Sequence, residues 1–339
     1  MRATATFPQS DPLGEALEYL RMSETAYYHS ELAAPWGLVM PEDCPKFHFV
    51  TSGRCWLEIA GAGKHVIEAG DFVVIPQGMG HRLSSEPAAP SIEFGYLRCE
   101  KISQRYALFR KDGKGPVTTI ICGDLNFKHP AARHLVALLP TVIHIRAQAN
   151  HSIEWLNGTM RFMAVEARSL RPGSEAIVTR LADILVIQAI RYWIEHNPTE
   201  QKGWLAALHD TPLARALGLI HREPGKNWTV ASLARAAALS RSAFSARFSV
   251  SVGKPVMQYV TRWRMHVAEA KLLEGTKTVE EIAVELGYKS GAAFSRAFRR
   301  MAGVWPGSVK PAAANARAIA EPAHRYLKSS RSKPKAAIA

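Results

Sequence analysis

The chain has 339 residues, of which 47% are apolar, and a formal net charge of +14. This length allows two or three domains with separate cores, and the composition excludes a disordered protein over most of the chain. The longest apolar run, near residues 184–190, is too short to span a bilayer, and acidic residues interrupt the N-terminus where a signal peptide would be apolar. We therefore expect a cytosolic, multidomain protein.

The excess of positive over negative charge is confined to the last third of the sequence. Residues 1–225 hold 23 basic and 23 acidic side chains, residues 226–310 hold 14 and 5, and residues 311–339 hold 6 and 1. Such a localised excess is typical of a surface that binds a polyanion. A membrane surface is the competing polyanion. Because the basic residues do not flank a long apolar stretch, the pattern favours nucleic acid.

Residues 36–100 show the pattern of a β-rich domain. Short runs with strand character, separated by glycine turns, lie at 47–50, 54–59, 64–68 and 71–75. Short strands at near-regular spacing favour an antiparallel barrel or sandwich. We therefore predict an antiparallel β-barrel over residues 1–125, as the first domain of a multidomain α+β protein.

All four cysteines lie in this first third, without C-x-x-C spacing. That pattern argues against a zinc knuckle and against a secreted disulfide scaffold. Cys44 lies in a polar loop beside a proline, so we expect it to be the exposed thiol and the candidate for a redox response. Cys122 lies in an apolar strand and is expected to be structural.

After residue 126 the period of the apolar residues becomes helical. Helices are predicted at 130–139, 151–170 and 174–197. The last helix carries an apolar stripe formed by Ile177, Leu181, Ile184, Leu185, Gln188 and Trp193. Such a stripe packs within its own domain or forms the seam of a homodimer, and the sequence leaves both open. We assign residues 126–223 to a helical region that links domains or dimerises.

One pattern occurs twice near the C-terminus, displaced by 50 residues. Ser-Arg-Ser-Ala-Phe-Ser-Ala-Arg-Phe at 240–248 returns as Ser-Gly-Ala-Ala-Phe-Ser-Arg-Ala-Phe at 290–298. In each copy the first serine suits a helix N-cap, and the two phenylalanines fall on one face. Short amphipathic segments at 230–237 and 279–286 precede the copies. The sequence therefore predicts two helix-turn-helix units, spaced by one long helix at 255–273.

The outward positions of each second helix are candidates for base contacts. In the first unit these are Arg241, Ser242 and Ser245, and in the second they are Lys289, Ser295 and Arg296. Arginine can pair with both acceptors of a guanine edge, and serine can bond to a base or a phosphate. The remaining basic residues are expected to contact phosphate or solvent; they are Arg247, Arg262, Arg299 and Arg300.

Residues 226–310 resemble the paired helix-turn-helix domain of the AraC/XylS family of bacterial transcription regulators. The matching residues are Ile282-Ala283, Leu286-Gly287-Tyr288, Phe294–Arg299, Gly303 and Pro306. Residues 47–57 and 70–81 are similar to the cupin-type sensor domain of one branch of that family. The resemblance implies a regulator, an activator, that binds double-stranded promoter DNA, RNA polymerase and a small-molecule effector, and that forms a homodimer.

The implied organisation has four parts. Residues 1–125 would form the effector-sensing cupin domain, 126–223 the helical region, and 224–310 the DNA-binding domain. Residues 311–339 are predicted to be a disordered basic tail that adds salt-dependent, non-specific attraction to DNA.

The cupin resemblance also raises the alternative of a metal-dependent enzyme. His81 takes the place of one imidazole ligand, but the first cupin motif offers only His48, with Val50 where the next imidazole would fall. Because a catalytic metal needs about three protein ligands, we predict no metal, no cofactor and no enzymatic activity. His48, Trp56 and His81 are predicted to line the effector pocket. A redox or electrophile response through the cysteines, which the resemblance also implies, stays open.

Overall fold

The computed structural model of the chain describes residues 13, 14, 17, 26–103, 105–125, 127, 132, 135–147, 154–169 and 171–309. These residues belong to two compact units. The β-rich unit contains Met22–Asn126 and Leu139–Trp193, and the helical unit contains Phe127–Leu138 and Ile194–Ala316, as far as they are described. The tail predicted at 311–339 lies outside the described residues, as do several positions of the helix predicted at 130–139.

Strands form two sheets in the β-rich unit. Their bounds are Ala26–Ala33 (β1), Gly37–Met40 (β2), Lys46–Ser52 (β3), Arg54–Ile59 (β4), Gly63–Glu68 (β5), Phe72–Ile75 (β6), His81–Ser84 (β7), Ile92–Glu93 (β8), Cys99–Lys101 (β9), Tyr106–Lys111 (β10), Val117–Asp124 (β11) and Ile143–Ile145 (β12). The sheet orders are β12-β6-β3-β11-β1-β10-β9 and β5-β4-β7-β2-β8. The four strands predicted between residues 47 and 75 correspond to β3, β4, β5 and β6.

The two sheets are not closed into a barrel. Each sheet ends in strands with one neighbour only, which are β12 and β9 in the larger sheet and β5 and β8 in the smaller one. In addition, β1 pairs with β10 and β2 with β8 in parallel. The predicted β-rich, cupin-like fold is confirmed, but the expectation of a closed antiparallel barrel was too strict.

Aromatic and aliphatic side chains fill the space enclosed by the strands of the β-rich unit. The ring of Phe94 packs 4.4 Å from that of Phe109 and 5.3 Å from that of Tyr28, measured between centroids. Burying each such ring contributes about 1.5–3 kcal/mol. The interior of this unit is therefore a packed core.

Eight described helices follow the strands in the chain. They are Glu154–Ser169 (α1), Ser174–His196 (α2), Thr211–Arg222 (α3), Val230–Ala236 (α4), Arg241–Val252 (α5), Val256–Glu274 (α6), Val279–Glu285 (α7) and Gly291–Ala302 (α8). The prediction of two short helix pairs separated by one long helix is confirmed by α4–α5, α6 and α7–α8. None of the helices in the described part of the chain is long and apolar enough to cross a bilayer.

The two helix-turn-helix units are built by the same local interactions. The hydroxyls of Ser240 and Ser290 accept hydrogen bonds of 3.2 Å from the backbone N–H three residues on, and so cap α5 and α8. The two phenylalanines of each copy are buried. The turn of the first unit places Ala238 in the left-handed region at φ 55°, where the second unit has Gly287 at φ 76°.

A backbone contact joins the two helix-turn-helix units to each other. The loop at 223–228 leads into α4, and the turn between α7 and α8 packs directly on it. A Cβ atom on Gly225 would overlap the carbonyl oxygen of Glu285, and one on Gly287 would overlap the carbonyl oxygen of Gly225. Only two glycines allow the backbones to approach this closely.

The long helix α6 contributes an arginine to the same contact. Arg264 Nε donates to the Pro224 carbonyl at 2.6 Å, and its Nη2 donates to the Lys226 carbonyl at 2.7 Å. Its guanidinium also lies 5.9 Å from the ring centroid of Tyr288 in the turn of the second unit. Arg264 therefore connects the spacer helix, the loop before the first unit and the turn of the second unit.

Replacing Gly225 with Ala should lower the free energy of unfolding of the helical unit by about 1–3 kcal/mol, because the new methyl group overpacks against the Glu285 carbonyl. Urea denaturation followed by tryptophan fluorescence measures this change. Gly307→Ala is the matched control, since nothing lies within 4 Å of its added Cβ. Equal stability of the two variants would contradict the close contact.

Candidate nucleic-acid interface

The first recognition helix, α5, buries Phe244, Phe248 and Val252 and turns its opposite face to solvent. Of the predicted contact residues, Arg241 and Ser242 are exposed in the first turn, whereas Ser245 is half-buried beside the core. The exposed face continues through small apolar residues, Ala246 and Val250 among them. Sequence reasoning did not include these residues, because it sought side chains that form hydrogen bonds.

The second recognition helix, α8, exposes a basic face. Arg296, Arg299 and Arg300 are exposed, Lys289 is exposed in the preceding turn, and Ser295 is half-buried. Arg296 occupies the position in α8 that Ala246 occupies in α5, since the repeat is displaced by 50 residues. The register of the repeat is the sequence signal that identifies Ala246 and Val250 as outward positions.

Two arginines near the recognition helices have protein partners. Arg247 Nε donates to Asp210 Oδ2, and the other oxygen of that carboxylate accepts from Leu213 N and caps α3. Arg247 is exposed, as expected of a surface charge, and its ion pair also ties α5 to the start of α3. Arg299 lies over the ring of Trp305 at 4.4 Å.

An aromatic cluster fixes α3 against the spacer helix α6. His221 of α3 stacks on Trp263 with ring centroids 3.8 Å apart, and its Nε2 lies 2.7 Å from the Tyr259 hydroxyl. Burial raises the pKa of Tyr259 well above its usual range, so this hydroxyl keeps its proton. Stacked aromatic rings thus connect α3 to the spacer helix below the recognition helices.

In the β-rich unit, the structure brings His48 and His81 together. Their Nε2 atoms are 2.8 Å apart, the Cys122 Sγ lies 3.0 Å from His48 Nδ1, and the His81 Nδ1 lies 2.9 Å from the Met79 carbonyl. A carbonyl only accepts, so His81 carries its proton on Nδ1. His48 then donates to His81, and the Cys122 thiol donates to His48.

Each group in this hydrogen-bonded chain is kept neutral by burial. Burial lowers the pKa of His48 well below its usual range and lowers that of His81 to about 4. Burial also raises the pKa of the Cys122 thiol well above its usual range. Trp56 is not part of the chain, because it lies on the face of β4 opposite to the buried Cys55 and Leu57.

The described residues contain no group of three or more His, Cys, Asp or Glu side chains placed to hold a metal ion. The two imidazoles face each other, and the thiol lies on the far nitrogen of His48, so the three groups do not converge on one point. The arrangement has the geometry of a hydrogen-bond relay and lacks that of a coordination shell.

Cys44 is half-buried, and the expectation of an exposed thiol was therefore wrong. Its Sγ accepts from Lys46 Nζ at 3.3 Å, and Lys46 is itself buried beside Asp124. Burial, aided by the negative charge of Asp124, raises the pKa of Cys44 above its usual range. The burial of Cys44 cannot be predicted from the sequence, because it depends on strands far apart in the chain.

A cavity of about 250 Å³ lies between the larger sheet and the helices α1 and α2 of the β-rich unit. Tyr27 and Tyr106 line it from the sheet, Glu175 and Val178 line it from α2, and Arg171 lines it from the connection between α1 and α2. A mixed lining with one guanidinium and one carboxylate suits a small amphipathic molecule.

Comparison with known proteins agrees with both units. The sequence matches the cupin family over residues 11–195 and the helix-turn-helix domain family over residues 233–311. A putative AraC-like transcription regulator of Streptomyces lividans is 32% identical over 306 residues, which span 88% of this chain and 98% of the relative. The RCS-specific HTH-type transcriptional activator RclR of Escherichia coli is 30% identical over 267 residues, which span 78% of this chain and 84% of the relative.

A solved structure with a related C-terminal domain contains DNA. It is the DNA-binding domain of AdpA, a global transcriptional factor, in complex with a target DNA. The two sequences are 30% identical, the match covers 32% of this chain and 96% of the other, and the TM-score is 0.28.

The β-rich unit should lose stability as the pH falls from 6.5 towards 4. The pKa of His81 is lowered to about 4 in the folded protein, so His81 of the unfolded chain is protonated at a higher pH. The resulting loss in the free energy of unfolding amounts to about 3 kcal/mol. Hydrogen exchange of β3 and β7, measured across this pH range, reports it. His81→Gln should flatten the dependence, and identical pH profiles for the two proteins would contradict the assignment.

Proposed function

Because the chain belongs to the AraC family of transcription regulators, with a cupin domain ahead of its helix-turn-helix domain, we propose that it couples an effector signal to promoter binding. The supporting observation is the pair of equivalent recognition helices, α5 and α8, each capped by a serine and joined through one stiff helix. Two such helices suit successive major grooves on one side of a duplex.

The proposed contacts to DNA come from both recognition helices. Arg296 would pair with a guanine edge from α8, and Arg241 would do the same from the first turn of α5. The side chains of Ser242, Ser245, Lys289 and Ser295 would bond to bases or phosphates, and Arg299 and Arg300 would contact phosphate. The exposure of all the named arginines and of Lys289 supports these roles.

We propose a small molecule as the effector, received by the cupin domain at 1–125 together with part of the helical region at 126–223. The space around His48 and His81 is filled by the core, so an effector there would have to displace packed side chains. The cavity beside α1 and α2 is preformed and joins strands to helices. A bound effector that favours one arrangement of these helices would shift the population of DNA-binding states.

A redox response is the second candidate, since all four free cysteines lie in the β-rich unit. Against it, burial raises the pKa of all four thiols, Cys44, Cys55, Cys99 and Cys122. A thiol with a raised pKa holds little of the reactive thiolate at neutral pH. Small-molecule binding is therefore the better-supported signal.

Activation through RNA polymerase is the proposed output. The Escherichia coli relative is named an activator and aligns over 78% of this chain. The DNA-binding domain, 224–310, would present one face to the duplex and leave helix α7 free for a protein contact, since Glu280 and Glu281 in its first turn would repel phosphate.

A homodimer is proposed on the basis of exposed apolar side chains on α1 and α2. Phe162 and Val165 of α1 are 51% and 64% exposed, and Ile177 and Ile184 of α2 are 38% and 46% exposed. Of the other residues in the predicted stripe, Leu185 and Trp193 are buried, and Leu181 and Gln188 are half-buried. The stripe thus has one part that packs internally and one part available for a partner copy.

Selection of binding sites from random duplexes with the full-length protein tests the proposed function. The expected result is two conserved blocks with centres about 10 base pairs apart. Enrichment without a consensus would contradict sequence-specific binding.

In the same assay, Arg296→Ala should relax the preference at one base position in one block and weaken binding by about 1–3 kcal/mol, because a bidentate guanine contact is lost. Arg235→Ala, which removes the same charge from the exposed side of α4, is the matched control and should leave the base preference unchanged. An unaltered consensus for Arg296→Ala would rule out its base contact.

Ile184→Glu should shift the protein towards the monomer, because a carboxylate in an apolar seam loses its hydration. Sedimentation equilibrium measures the change. Val117→Glu replaces an exposed valine on β11 and should leave the association unaltered. A monomeric wild-type protein would contradict the dimer.

A further inference from the structure

The two recognition helices present different chemistry at equivalent positions. On α8 the exposed positions include Arg296 and Arg300, and the residues at the same places on α5 are Ala246 and Val250. The first recognition helix therefore has a face of small apolar side chains where the second has guanidinium groups.

The apolar side chains of α5 lie along one line. Ala243, Ala246 and Val250 are spaced three and four residues apart, so they share one face of the helix. That face is opposite to the buried Phe244 and Phe248. Val250 is 84% exposed, the highest value for a large apolar side chain among the described residues. A partner that covers this side chain would gain the free energy of burying its apolar area.

We infer that this apolar face recognises thymine 5-methyl groups in the major groove, an inference that rests on the proposed DNA-binding function. The thymine methyl is the apolar group that base pairs present in the major groove, and alanine and other apolar side chains contact it. Small side chains also allow the helix backbone to approach the base edges. The half-site contacted by α5 is therefore rich in thymine, and the half-site contacted by α8 contains guanine.

Three observations identify DNA, and not a second protein, as the occupant of this face. The 50-residue repeat gives Ala246 and Val250 the same place on α5 that Arg296 and Arg300 have on α8. Arg241, exposed at the start of α5, adds a cation at one end of the face. The contact of Gly225 with the α7–α8 turn and the Arg264 hydrogen bonds hold the two units in one fixed arrangement.

Removal of single methyl groups from DNA tests the inference. A duplex selected by the full-length protein is synthesised with deoxyuridine in place of each thymine of one block, which removes the methyl group and keeps the base pair. Each contacted methyl should contribute about fourfold to affinity, so the substituted α5 block should bind about fourfold more weakly per thymine. The same substitution in the α8 block, identified by its response to Arg296→Ala, should have little effect.

Val250→Ser assigns the effect to the helix face. This variant should bind the thymine duplex more weakly than the wild type does, and it should be less sensitive to deoxyuridine at one position of the α5 block. Val284→Ser is the matched control, because Val284 is 72% exposed on the acidic helix α7. Its affinity and its sensitivity to deoxyuridine should equal those of the wild type.

The outcomes separate the inference from the proposed function. A consensus with two blocks but no loss on deoxyuridine substitution overturns the methyl contact and leaves DNA recognition intact. Absence of any consensus overturns the proposed function itself. If Val250→Ser leaves DNA affinity unchanged but abolishes binding of RNA polymerase to the complex, the apolar face is a protein-docking surface and the inference is wrong.

Discussion

The arrangement of the helical unit depends on the contact between Gly225 and the turn at Gly287. Recognition by two helices requires that each enters its groove at a set angle and spacing, and an error of a few ångströms in one helix removes the contacts of the other. The spacer helix α6 fixes the distance, but a helix alone leaves the rotation of each unit to side-chain packing. The glycine contact removes this freedom because one backbone packs directly on the other. Arg264 stabilises the contact with two hydrogen bonds to the carbonyls beside Gly225.

The β-rich unit shows how burial sets the protonation of two neighbouring imidazoles. Two imidazoles meet inside the unit, but burial keeps both neutral, and the thiol of Cys122 completes a chain of single hydrogen bonds. Every proton in that chain has a defined donor and acceptor, so the chain stabilises the core and leaves no free donor for a ligand. The proposed effector site on the outer side of the sheet, next to α1 and α2, would leave this network undisturbed and would act directly on helices.

Much of the architecture could be predicted from the sequence because it is locally encoded. Serine caps, paired phenylalanines and glycine stops define α5, α6 and α8 within a few residues, and glycine turns define β3 to β6. The features that could not be predicted from the sequence depend on contacts between distant segments. The salt bridge of Arg247 with Asp210 spans 37 residues, the hydrogen bonds of Arg264 reach back about 40, and the raised pKa of Cys44 depends in part on Asp124. The apolar face of α5 was overlooked for another reason, since polar side chains are the usual signal of base contact.

The two recognition helices differ in chemistry and lie in a fixed order, and this has a consequence for the operator. If α5 prefers thymine methyls and α8 prefers guanine, one protomer requires a site whose two blocks differ, and the protein then lies on the duplex in one direction only. Rigid coupling strengthens this effect, because the second helix binds as an intramolecular event once the first is engaged, and a reversed site satisfies neither helix. A regulator with a defined direction presents the acidic helix α7 on one side of the promoter, whereas a symmetric pair of helices would leave its position ambiguous. The asymmetry of two repeated units thus supplies orientation, which a repeat with identical faces lacks.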